Sequence, residues 1–505
     1  MRDEIRTENS RSIIRNVLYG FSTFILPIGF SFIATRLIVE KLGTKDYGIY
    51  VLVLGFVGYT FNFSFGRAIT KYIAEYRIKG ETHKITDLIS SALFITVTVG
   101  AAGAAIICLS ANWLVVNFLE VSPEDQSTTT SALFIASAII LLLMLNQTFN
   151  SILQGIHRFD VYSNISNFNN LATIIGNIIL VYYNFKILEL LIWNGVVTFI
   201  AGCLFAFYAK RLLPEFKFSL KARPETLKLI IRFSAGIIGY QILANILLLS
   251  ERRWIFSKLG ADNLTFYVVP MTISIFIHTF ANSFVLVIFP LASELKDNTE
   301  KLLRLYKKVT RLVCCLVIFL ATTLIIEGDV FLTLLMGADF ASRTSILLVI
   351  HTIGFSLLAI QTISWQMTEA LGFPAYNIYV FAVCMIINVF LIFLLIETLG
   401  NTGVAFGRMA GMSIMFLSVF YVEKMFFKRV QKHFWIKLSA TLGIAALFSV
   451  ITEKLIISNF QINWIVFVFA TISGGIVYCA ILLIMGFVDS EDKLLIKNLI
   501  KRQQK

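Results

Sequence analysis

The chain is 505 residues long, 57% hydrophobic and only 14% charged, with 46 phenylalanines. That balance excludes a soluble globular protein with a watery surface. Its formal net charge of +13 raises nucleic acid as a partner, an idea that the placement of the charges answers below.

Apolar runs of about 20 residues or more cross a hydrocarbon core roughly 30 Å thick. Fourteen occur here, at about 14–39, 47–66, 86–111, 131–153, 165–185, 187–209, 229–250, 264–291, 309–327, 344–368, 376–396, 403–427, 434–457 and 463–487. They are continuous rather than alternating apolar and polar, which argues against a transmembrane β-barrel. The expectation is an all-α polytopic membrane protein with 14 transmembrane helices.

Met1–Asn16 is charged and leads into a span too long for a signal-peptide core, so the first helix itself is expected to insert. Pro27 in that span removes a backbone hydrogen bond and permits a kink, either static or part of a gate. Arg36 stands near its outer end, where a guanidinium must snorkel, pair or line water. Asn62 and Arg67, in or below span two, are weaker candidates. The outer segment 112–130 is acidic and broken by Pro123, as a surface loop is.

The stretch after span one then recurs. Arg36-x-Ile38-x-x-Lys41-Leu42-Gly43…Tyr50-Val51 returns as Arg253-x-Ile255-x-x-Lys258-Leu259-Gly260…Tyr267-Val268, at a constant offset of 217 residues with seven identities in sixteen positions. Copies separated by six spans share an orientation, which makes this a parallel repeat about an axis along the membrane normal. It divides the chain into an N-terminal lobe (1–212), a C-terminal lobe (213–430) and two additional helices with a tail (431–505). Either arginine alone is explained as an interface anchor; as equivalents, Arg36 and Arg253 form a candidate phosphate site. Glu251-Arg252 precedes the second copy. Glu251 can neutralise an arginine or carry a coupling ion, and Arg252 joins the substrate-binding candidates.

Within the second half, Pro270 permits a second kink and Asn282 is a weak polar candidate in span eight. His278 and His351 are the mid-span histidines, a proton relay or two satisfied neutral rings. Span ten is polar toward its inner end, with Gln361, Thr362, Ser364, Trp365, Gln366, Thr368 and Glu369. Amides bond sugar hydroxyls and tryptophan stacks on a sugar ring, although helix-to-helix hydrogen bonding explains the same residues. Glu369 is a further ion-coupling candidate. Arg408 lies inside span twelve among Gly403, Gly407 and Gly411; facing lipid it would cost at least a few kcal/mol, so it is expected to face water or a carboxylate. The inner segments 217–232 and 294–311 mix basic residues with Leu and Ile at helical spacing, as interfacial amphipathic helices or solvated linkers do.

With the N-terminus inside, 33 of the 43 Lys and Arg fall on the inner side, nine outside and Arg408 within a span. The basic excess therefore reports topology, both termini cytoplasmic, and anionic lipid as a partner rather than nucleic acid. The six cysteines lie in apolar spans without CxxC spacing and read as packing residues, with no metal site expected. No Gly-x-x-x-x-Gly-Lys-Ser/Thr loop is present, so no nucleotide cofactor is expected and transport would be coupled to H⁺ or Na⁺, or passive.

The N-terminal stretch Leu26-Pro27…Leu42-Gly43-Thr44-Lys45-Asp46-Tyr47-Gly48-Ile49-Tyr50…Gly66…Lys71-Tyr72-Ile73-Ala74-Glu75-Tyr76-Arg77 resembles the bacterial polysaccharide flippases of the O-antigen type. These sit within the multidrug/oligosaccharidyl-lipid/polysaccharide exporter superfamily. The similarity continues at Glu251-Arg252, Phe289-Pro290, Ala370-Leu371-Gly372 and Gly403-Val404-Ala405, with Glu251 where many relatives have Asp. The resemblance implies two pseudo-symmetric lobes around a central cavity in the bacterial inner membrane. It also implies movement of an undecaprenyl-pyrophosphate-linked oligosaccharide to the periplasmic leaflet, with a polysaccharide polymerase and chain-length regulator as partners. Arg36, Arg253 and Arg408 would supply the cavity's positive charge. The alternatives are a cation-coupled multidrug exporter of the same superfamily, whose cavity should favour carboxylates, and a membrane polymerase or glycosyltransferase. The latter needs a long loop bearing paired carboxylates or His, and no segment outside the spans is long enough.

Overall fold

The computed structural model describes residues 30–60, 65–213, 219–285, 292, 295 and 298–487. Pro27 and Asn62 lie outside the described residues. Every described element is a helix. Residues 30–42 form α1. After it come α2 (Thr44–Thr60), α3 (Gly66–Lys79), α4 (Thr82–Trp113), α5 (Gln126–Gly155), α6 (Phe159–Tyr182), α7 (Ile187–Leu212), α8 (Pro224–Leu259) and α9 (Ala261–Val285). The chain continues through α10 (Thr299–Ile326), the short α11 (Gly328–Met336), α12 (Ala338–Ala370), α13 (Pro374–Phe427), α14 (Lys432–Asn459) and α15 (Trp464–Ile484).

Among the described residues, ten helices are long and apolar enough to cross a membrane. The 54-residue α13 holds two predicted spans: Gly400, at φ 55° and ψ −135°, breaks it between them. Only glycine reaches that backbone region without strain. Large side chains such as Leu109, Ile465 and Ile484 are more than three-quarters exposed, a surface that suits acyl chains and not water. The chain is a multi-pass membrane protein. The segments 217–232 and 294–311 differ from separate interfacial helices or linkers: residues from Pro224 and from Thr299 onward are the opening turns of α8 and α10. Pro224 at the first turn of α8 and the Asn298 side chain, which accepts from the Lys301 amide at 3.0 Å, start those helices early.

The chain forms two compact units, each from two segments. The first comprises Met1–Val269 and Pro374–Gly407; the second comprises Pro270–Phe373 and Arg408–Lys505. The first is centred on Ile69, Ile89, Leu93 and Ile152 of α3, α4 and α5. The core of the second joins α10, α12, α13 and α14 around Val317, Ala359, Val419 and Leu442. In α12, 72% of the most apolar window is buried, against 17% in α13. Thus α12 is largely buried, while the most apolar stretch of α13 is mostly not.

Candidate functional site

The duplicated stretch forms the same local structure twice. The Gly43 amide donates to the Val39 carbonyl and that of Gly260 to the Phe256 carbonyl, at 2.9 and 3.0 Å. Each glycine's own carbonyl then accepts the first bond of the next helix, from Tyr47 and from Leu264. Both take positive φ, 85° and 94°, which is why the copies share glycine at this corner. Tyr50 and Tyr267 are buried in each. The Tyr50 hydroxyl accepts from Asn177 and Asn194, at 3.2 and 2.9 Å; that of Tyr267 donates to Glu251 Oε2 at 3.3 Å.

The two copies also touch, within the first unit. Thr44 Oγ1 donates to Asp262 Oδ1, and Thr265 Oγ1 donates to the Thr44 carbonyl at 2.6 Å. The Ala261 backbone presses on Gly48, where a Cβ would overlap its carbonyl oxygen. This seam joins the start of α2 to the start of α9.

Glu251, Arg252 and Arg253 at the end of α8 face three surroundings. Glu251 is 1% exposed, and its Oε1 accepts from Asn388 of α13 at 3.0 Å. Together with Tyr267 this gives the buried carboxylate two neutral donors. The buried Arg252 donates through Nη1 to the Val51 carbonyl and lies against Gly55. Arg253 Nε donates to the Phe118 carbonyl at 2.5 Å, its guanidinium carbon lies 4.5 Å from the Phe118 ring centroid, and Nη2 is 3.7 Å from Glu120. Its repeat equivalent, Arg36, is exposed, with Nε 4.0 Å from Glu40 one turn on.

The segment between α4 and α5 is thereby fastened at two points. Arg253 holds Phe118 and Glu120; Lys45 reaches Glu124 and Asp125, at 2.6 and 2.9 Å. Hydrogen bonds to Glu124 and Asp125 hold the Lys45 ammonium above its ordinary range, and the bond to Lys45 holds the Glu124 carboxyl below its own.

In the second unit, Arg408 is 7% exposed and its guanidinium carbon lies 6.0 Å from the Phe355 ring centroid. Met409 and Met412 pack on Gly354, fixing this part of α13 against α12. The buried His351 lies on the same face of α12, its ring 6.4 Å from that of Phe355, and Arg408 is the charge acting on it. His278 of α9 shares a 3.2 Å hydrogen bond with Thr362 of α12. Trp365 Nε1 donates to Glu369 at 2.8 Å, so these two act as one side-chain pair. Gln361 is buried and Gln366 half-buried. The structure thus groups Arg408 with His351 and groups His278 with the polar end of α12.

Sequence reasoning did not single out Asn388, the partner of Glu251, nor the buried carboxylates Glu423 and Glu453. A lone Asn amid a long apolar run is a readable signal for the first. The carboxylates stand near span ends, where acidic residues look like boundary markers.

An apolar groove of about 590 Å³ also lies in the second unit, lined by Ile318 and Thr322 of α10, Ile360 of α12, Phe416 of α13 and Leu442 and Ala446 of α14. Its surface is almost wholly hydrocarbon, suited to a lipid chain.

Residues 10–296 match the model of the family described as polysaccharide biosynthesis protein. A curated relative from Shigella flexneri, described as "Putative O-antigen transporter", is 23% identical over 403 residues, covering 78% of this chain and 93% of the relative. The fold is similar to that of the lipid II flippase MurJ in an inward closed conformation, with a TM-score of 0.67, 18% identity and coverage of 92% of this chain and 99% of that one. An inward-facing multidrug resistance MATE family transporter of the MOP superfamily matches at TM-score 0.64, with 14% identity and coverage of 81% and 94%.

Proposed function

The chain belongs to the polysaccharide biosynthesis protein family, and on that premise we propose that it is a flippase for a lipid-linked oligosaccharide. The substrate class is an undecaprenyl-pyrophosphate-linked repeat unit of a surface polysaccharide, carried from the cytoplasmic to the periplasmic leaflet of the bacterial inner membrane. Both termini are cytoplasmic on this reading, and a polymerase and chain-length regulator receive the product. Transport runs by alternating access between the lobes 1–212 and 213–430.

One observation carries the reading: the second unit holds both a buried guanidinium, Arg408, and an open apolar groove. A pyrophosphate on a long isoprenoid chain needs both. A small organic cation needs neither, and a guanidinium repels it. The name of the Shigella flexneri relative supports the same class. Glu251, held by Asn388 and Tyr267, is assigned the coupling cation, H⁺ or Na⁺.

The test is flipping of an undecaprenyl-pyrophosphate-linked oligosaccharide in vesicles. Arg408→Ala is expected to lower the rate at least about tenfold, the effect of losing roughly 1.4 kcal/mol of charge pairing. Arg408→Lys should restore part of it. An unchanged rate in Arg408→Ala protein of normal abundance would remove the assignment.

A further inference from the structure

The second unit contains a buried acidic pair that the transport reading leaves unused. Glu453 of α14 is 1% exposed, and its Oε1 accepts from Thr323 of α10 and from Ser449, both at 3.1 Å. Its Oε2 is buried with no hydrogen-bond partner among the described residues. Glu327, between α10 and α11, is 4% exposed, and its buried Oε1 likewise has no hydrogen-bond partner among the described residues. The two lie within reach of each other's charge. Space for Glu453 comes from Gly474 of α15, where a Cβ would overlap the carboxylate. The other charged groups acting here are Asp329 of α11 and Lys454, next to Glu453 on α14; both act on Glu327.

An ionised carboxylate with a bare oxygen in a dry setting is costly, and two of them side by side more so. Uptake of one proton neutralises one of the two carboxylates and removes the repulsion between them. We propose that Glu453 and Glu327 form a proton-binding site, with the proton carried on Oε2 of Glu453 and shared electrostatically with Glu327. The proton comes from water and forms an O–H bond; no other bond changes.

The site's position gives it a consequence for the groove. Its walls are α10 on one side and α14 on the other. Thr323 and Ser449, one step from the groove-lining Thr322 and Val450, are the residues that hold Glu453. Thr323 of α10 donates more strongly to a charged Glu453 of α14, while Glu327 repels that charge, so the proton changes the balance of the tie between α10 and α14. Proton occupancy therefore sets how tightly the groove's two walls are joined. That consequence rests on the lipid-substrate reading; the site itself does not.

Infrared difference spectroscopy of the full-length protein in lipid nanodiscs, titrated with pH, tests the site directly. A protonated-carboxyl band should titrate and disappear in Glu453→Gln. With Glu453 intact, Glu327→Gln should move the band's midpoint down by about one pH unit, as removal of a coupled like charge does. The same titration in Glu453→Gln as in the parent protein would overturn the site. An unmoved or raised midpoint in Glu327→Gln would overturn the pairing. A titrating band in a protein that flips no lipid-linked sugar keeps this site and removes the flippase reading; active flipping without the band does the reverse.

Discussion

Glu423 is fully buried near the end of α13 and accepts from three donors on three stretches of chain. They are the Tyr306 hydroxyl at 2.8 Å, Trp435 Nε1 at 2.7 Å and the Gln431 amide at 2.8 Å. These three bonds make it a structural knot between α10, α13 and α14. Glu423→Ala would strand three buried donors, each costing about 1–3 kcal/mol. A clear fall in the thermal unfolding midpoint in detergent is expected, with Glu423→Gln falling less; an unchanged midpoint in the alanine variant would refute the knot. The sequence hides this role because Glu423 stands beside Lys424 at a predicted span end, and its partners lie up to 117 residues away. Arg408 shows the opposite case. A lone guanidinium with apolar residues on both sides is conspicuous in the sequence; the structure buries it beside Phe355.

Between the residue and the whole stands the duplicated corner. Its turn was readable because glycine at a helix end preceded by Leu signals positive φ, and both Gly43 and Gly260 take it. The contact between the copies was not readable, since it depends on how α2 and α9 are brought together and not on either copy's own residues. Gly48 is the tightest point of that seam. Gly48→Leu is expected to part it. In a background where the native cysteines are serine, a cysteine at position 265 should then react several times faster with an impermeant thiol reagent in intact cells. Equal reactivity with and without Gly48→Leu would show that the seam does not depend on this contact.

For the molecule as a whole, hydropathy made the all-helical membrane fold legible, because apolar runs of span length leave few other solutions. What it concealed was the grouping of helices. Residues 374–407 belong to the first unit and 408–505 to the second, so α13, broken at Gly400, contributes to both. The equivalence of Arg36 and Arg253 belongs to this scale too, since the two differ in surroundings: one exposed beside Glu40, the other fastening the segment between α4 and α5. Arg36→Ala combined with Arg253→Ala is expected to abolish surface polysaccharide at normal protein abundance, with lysine at both positions restoring part of it. Wild-type polysaccharide levels in the double variant would exclude a joint role, and equal loss in Glu120→Ala alone would assign Arg253 to the loop.

The interleaving of the two units also constrains biogenesis. Because the first unit includes Pro374–Gly407, the ribosome has already produced Pro270–Phe373, the opening segment of the second unit, before the first can close. Early helices must wait in the bilayer with part of their packing surface uncovered. A nascent chain stopped at the midpoint is therefore an incomplete object, and quality-control proteases would meet it as such.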